Sequence, residues 1–139
     1  MAVRVRLRLR GPTGTEASTS AVLNGGFEVP EPHLLLPARC ADLLLGNYRP
    51  TAAREAMEAA GGEVVLLHAA ERVSGRAMAT DREGRDVDFR VFVSDADSEV
   101  LVSDGGIDAL GIRIESFAPG RWRFADETRI RDTEAPQYW

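Results

Sequence analysis

The chain has 139 residues, 44% of them apolar and 28% charged, with 17 basic side chains (all arginine) against 22 acidic ones and a net charge of -5. One domain with a real core is expected at that length, and no apolar run approaches the roughly 18 residues of a membrane span, so the helical membrane class is excluded. The acidic balance leaves no general nucleic-acid affinity without a segregated basic face, and a single cysteine, Cys40, excludes an intrachain disulfide, a zinc finger and an iron-sulfur site.

Val3, Val5, Leu7 and Leu9 alternate with Arg4, Arg6, Arg8 and Arg10, the period of two that predicts a strand with one buried and one wet face. This start lacks a basic patch followed by an apolar stretch, so no secretory signal and a cytoplasmic location are expected. Turn residues at 11–14 and a Thr/Ser/Val run over 16–23 complete a predicted hairpin, ended by Asn24-Gly25-Gly26. Residues 33–36 predict a short buried strand. Pro37, with Cys40, Leu43 and Leu44 on one face and Gly46 beyond, predicts a two-turn helix.

Residues 51–60 favour helix by composition but carry no apolar stripe and stop at Gly61-Gly62. Strands follow at 64–68, 72–80 and 87–93, read as a meander with a turn at 81–84. A strand at 100–102 meets Ser103-Asp104, which caps a helix over 105–110 ended by Gly111, and 112–116 with 121–124 form a closing hairpin. Many short strands, two short helices and regular turn signals predict an all-β, closed barrel-like domain over 1–124, with a charged, extended tail over 125–139.

Isolated chemical signals are few. Residues 95–99 alternate oxygens like a calcium loop but lack its Gly and distal Glu, and no Gly-x-Ser-x-Gly elbow occurs. His33 and His68 have no ligand spacing and read as packed or surface imidazoles. No metal or cofactor is therefore expected. The Arg face of the first strand reads as a solvated face.

The order of elements is more informative. An opening hairpin leads into Ala21-Val22-Leu23-Asn24-Gly25-Gly26-Phe27-Glu28. A Leu-rich strand, a short helix, a Gly-Gly tip and Val100-Leu101-Val102-Ser103-Asp104 follow, and Gly111-Ile112-Arg113-Ile114 runs on to Gly120-Arg121-Trp122-Arg123-Phe124. Over roughly residues 3 to 124 this resembles the retropepsin-like aspartic proteases, especially their small prokaryotic members. The resemblance implies a closed barrel-like acid-protease fold, a homodimer, a groove for a peptide or protein segment, and no nucleic-acid or membrane partner. Asn24 stands where the family has its catalytic Asp, Gly25 replaces Thr or Ser, Gly26 keeps the Gly, and Ser103 stands where the second strand usually ends in Gly. Ala59-Ala60-Gly61-Gly62 would be the tip of the flap that covers substrate, which makes a hairpin of a segment whose propensity says helix and leaves 51–58 open.

An aspartic protease shares one proton between two carboxylates, and a single domain of this size supplies one of them across a twofold axis. An amide at Asn24 cannot serve as the base, and Gly25 lacks the bracing hydroxyl. Asn24-Gly25 is also a common type I′ hairpin pair, so the loop can be read simply as a turn. Asp104 is expected to cap its helix, remote from that loop. The expectation is a proteolytically impaired, peptide-binding or scaffold homodimer. Two alternatives stand beside it: an active endopeptidase whose Asn24 is an engineered or chemically convertible Asp, and a non-protease binding module using the Arg face.

Overall fold

The computed structural model describes residues 2–139. Strand β1 (Arg4–Arg10) buries Val5, Leu7 and Leu9 and turns its arginines outward, as the alternation requires. It pairs antiparallel with β2 (Glu16–Leu23) on one edge and with β6 (Val73–Met78) on the other. Strand β7 (Val87–Ser94) continues from β6, lies parallel to β3 (His33–Pro37), and β3 pairs with β8 (Val100–Val102), which returns parallel to β2. The six strands β1, β6, β7, β3, β8 and β2 close a barrel, so its core strands have no free edge.

Strands β4 (Ala53–Ala59) and β5 (Gly62–His68) form an antiparallel hairpin that leaves the barrel at β7. The expected meander is formed only in part: β6 and β7 pair antiparallel, but β5 does not pair with β6. The register pairs His68 with Phe92 and Val73 with Phe89, so β5 and β6 follow one another along the same edge of β7 and never pair together.

Helix α1 (Ala38–Leu45) caps one end, with Cys40, Ala41, Leu44 and Leu45 buried. Leu43 faces outward at 47% exposure, against expectation, because the buried stripe runs through Cys40, Ala41, Leu44 and Leu45 and leaves residues 42 and 43 on the solvent side. A Cβ at Gly11 would stand 1.9 Å from Leu44 O, so only glycine lets the β1–β2 turn lie against this helix. Helix α2 (Asp104–Ala109) is capped by Ser103, whose Oγ accepts from Gly106 N at 3.0 Å, and ends at Gly111 with φ +73°. A Cβ at Gly106 would meet Val102 Cγ1 at 2.7 Å, which shows how closely α2 sits on the barrel.

Strands β9 (Ile112–Ser116), β10 (Arg121–Phe124) and β11 (Arg131–Asp132) make a second, three-stranded sheet. The last residues run back over the barrel: Glu134 N–H donates to Arg4 O at 2.9 Å, and Trp139 Nε1 donates to Thr19 Oγ1 at 3.1 Å. Among the described residues no helix is long and apolar enough to cross a membrane.

Candidate functional site

A cleft of about 1060 Å³ opens between the β4–β5 hairpin and the loop that follows β2. Residues 53–59 are strand although their composition favours helix. Pairing with the Val64-Val65-Leu66-Leu67 run of β5 supplies a ladder that an unpartnered, stripe-less helix would lack. The register sets Glu55 opposite Leu66 and Met57 opposite Val64, so these four share one face of the hairpin, and all four line the cleft. At the tip Ala59 pairs with Gly62, whose φ is +115°. Ala60 lines the cleft, whereas Gly61 and Gly62 are exposed and lie outside its lining.

The opposite wall begins at Asn24. Parallel pairing sets Leu23 of β2 beside Val102 of β8, and Asn24 N–H donates to Val102 O at 3.0 Å. The ends of the two apolar strands singled out in the sequence are therefore neighbours. The turn itself is not a type I′ hairpin. Phe27 N–H donates to Asn24 O at 3.0 Å, Gly26 N–H donates to Asn24 Oδ1 at 3.1 Å, and neither Gly25 nor Gly26 takes a positive φ. Strand β8 lies between β2 and β3, which therefore do not pair, so a two-residue hairpin cannot join them here. Asn24 and Gly26 line the cleft; Gly25 is exposed at its edge.

Asp104 is not remote from this loop. Its N–H donates to Phe27 O at 3.0 Å, and its Oδ1 accepts from Gly105 N at 2.7 Å and from Val29 N at 3.4 Å. The Ser103 hydroxyl accepts from His33 N as well as from the helix, both at 3.0 Å, so a serine at this strand end ties β3 to α2. These bonds hold the Asn24 loop, the start of β3 and the start of α2 as one unit.

Phe27, Leu35, Leu66 and Phe92 form a small apolar cluster under the cleft, separate from the barrel core. His33 and His68 both lie against Phe92, at ring-centroid distances of 4.8 and 4.6 Å, and their own centroids are 5.4 Å apart. Sequence reading missed this pair, because 35 residues separate them and only the β3–β7–β5 pairing brings them together. His33 Nδ1 donates to Glu31 O at 2.8 Å, which fixes the tautomer of its neutral ring. Burial lowers its pKa from the ordinary histidine value, and nearby His68 and Arg90 act in the same direction against that bond. His68 Nδ1 lies 2.9 Å from Glu55 Oε1, while its Nε2 is buried with no partner.

Four carboxylates, Glu28, Glu31, Glu55 and Glu58, line the cleft against one guanidinium, that of Arg90. Glu31 reaches Arg72 at 3.9 Å and Arg90 at 4.0 Å, whereas Glu28 and Glu58 form no ion pair among the described residues. Among the described residues no carboxylate hydrogen-bonds the Asn24 side chain, whose one protein hydrogen bond is that from Gly26. No cluster of three or more His, Cys, Asp or Glu with metal-holding geometry occurs among the described residues.

The Arg face of β1 is largely engaged. Arg4 bonds Glu99 through both Nε (2.7 Å) and Nη2 (3.0 Å), Arg6 pairs with Glu134 at 2.9 Å, and Arg8 with Glu83 at 3.6 Å. No protein-family model matches the chain, and no curated protein is significantly similar to it.

Proposed function

We propose that this chain is a retropepsin-like, proteolytically impaired protein that works as a homodimer and holds an extended, basic peptide segment in the cleft under the β4–β5 hairpin. The observation that carries this reading is the cleft itself: a hairpin roof over a wall that starts at Asn24, at the junction of two parallel apolar strands. The family resemblance assigns a catalytic carboxylate to that position. An amide there has no proton to give or take near neutral pH, so binding persists and hydrolysis does not.

The excess of carboxylates over guanidinium in the lining favours a cationic segment, and Glu28 and Glu58 are free to pair with it. The apolar floor of Phe27, Leu35, Leu66 and Phe92 suits the uncharged side chains between the basic ones. Engagement of Arg4, Arg6 and Arg8 by acidic partners argues against a phosphate-binding role for β1.

Fluorescence anisotropy with arginine-rich and glutamate-rich peptides of equal length tests the reading. The basic peptide should bind with strong salt dependence, uncleaved. Glu28→Gln with Glu58→Gln should weaken it about two- to thirtyfold, at about 0.2–1 kcal/mol per lost exposed pair. Equal affinity for both peptides, or a monomer in sedimentation at micromolar concentration, would refute it.

A further inference from the structure

We propose that Asn24 is a self-modification site, at which the side chain closes onto the Gly25 backbone nitrogen and hydrolysis leaves aspartate or isoaspartate in the cleft wall. Four observations converge on this residue. Gly25 is exposed, it carries no side chain to hinder its own nitrogen, and a Cβ built on it would meet no residue beyond its chain neighbours within 4 Å. The Gly25 N–H donates to no group among the described residues, so no such bond must break before it reacts. The Gly26 N–H bond to Asn24 Oδ1 at 3.1 Å draws density from Cγ and makes it the better electrophile. Asn24 Nδ2, the leaving group, donates to no acceptor among the described residues.

The step balances with water alone. The Gly25 N–Cγ bond forms as the Cγ–Nδ2 bond breaks, the Gly25 amide proton leaves with Nδ2 as ammonia, and a five-membered imide remains. Water adding at Cγ reopens the ring to Asp with the original backbone. Water adding at the main-chain carbonyl reopens it to isoaspartate, in which the chain passes through Cγ. Because the attacking nitrogen must lose its proton, the rate rises with pH. Either product adds one negative charge beside a cleft that already carries four carboxylates. That the normal product would also install a carboxylate where the resemblance puts the catalytic Asp rests on the reading under Proposed function; the conversion does not.

The chain supplies its own control. Its other asparagine, Asn47, is more exposed than the half-buried Asn24, but the following residue is the buried Tyr48, whose side chain hinders the same attack. Full-length folded protein should be aged in warm, mildly alkaline buffer and mapped by peptide mass spectrometry, beside the same chain in urea. Asn24 should convert in the folded protein at least as fast as in urea, with Asn47 intact, and Gly25→Ala should slow the folded reaction several-fold. Asn24 that survives in the folded protein while converting in urea would overturn the proposal, as would equal conversion of Asn47. Peptide binding is measured on fresh protein in parallel, so conversion without binding refutes the functional reading and leaves the modification standing.

Discussion

The barrel and the β4–β5 hairpin are built on opposite terms. In the barrel, β1 has a neighbour on each edge and its Val5, Leu7 and Leu9 have no exposed surface. In the hairpin, the outer edge of β4 is unpaired, and Val64 and Val65 stand 42% and 59% exposed. Burial holds the first; a single ladder of backbone bonds holds the second. A segment with so few buried contacts opens at low free energy, which suits the role of roof proposed for it. The rigid side of the cleft is the Asn24 loop, stitched through Phe27 and Asp104 to α2.

The largest expected effect lies at that rigid side. If the loop faces a twofold partner, Asn24→Asp with Gly25→Thr should cleave extended peptides with an acidic optimum, since one carboxyl must hold the shared proton while the other is ionised. Space beside Gly25 accepts the added side chain without disturbing the barrel. Asn24→Asp alone should be about a hundredfold slower, as expected of a misplacement near 1 Å. A folded, dimeric but inert double variant in a quenched-peptide assay would separate the loop from any catalytic ancestry.

Thiol labelling sharpens the contrast between the two regions. Cys40 is buried in α1, and desolvation pushes its thiol up to about 12. It should react with a disulfide reagent only as fast as the domain unfolds, whereas Val65→Cys in a Cys40→Ala background should react at once. Comparable rates would mean that the barrel opens as readily as the hairpin.

Substitution energetics should follow the same division. Phe89 is fully buried between Gly75 and α2, and Phe89→Ala should cost about 3–5 kcal/mol in urea denaturation. Val65→Ala should stay within about 0.5 kcal/mol. A large loss at Val65 would mean that a partner or a second copy covers the hairpin.

The smallest effect concerns pH. The folded His33 imidazole lies below its ordinary value of 6.5, so the unfolded chain binds more protons in that range. This contribution is complete above that value and is lost as pH falls through the folded one. Around it stand His68, Arg90, Glu31 and Glu55. Urea midpoints should fall as the pH is lowered from 6.5, and His33→Gln should flatten that part of the decline. An unchanged slope in that variant would assign it to other groups.

Local pattern alone determined much of the barrel. Alternation in β1, the Ser103 cap, the Gly111 stop and the β9–β10 hairpin are short-range decisions, made by which residue buries and which satisfies a nearby backbone group. The positions of the turn after β2 and of the glycine-containing hairpin tip were legible as well. Tertiary structure decided the rest. Residues 53–59 abandon their helical preference because β5 offers a ladder, and Asn24-Gly25 forgoes a hairpin turn because β8 is inserted between β2 and β3. Leu43 faces out, and Asp104 stands behind the loop it was expected to avoid. The convergence of His33, His68 and Phe92 has no local signature, since three strands distant in sequence must first pair. Closing the barrel is a long-range event, and its consequences for the cleft are written in pairings that no window of neighbouring residues contains.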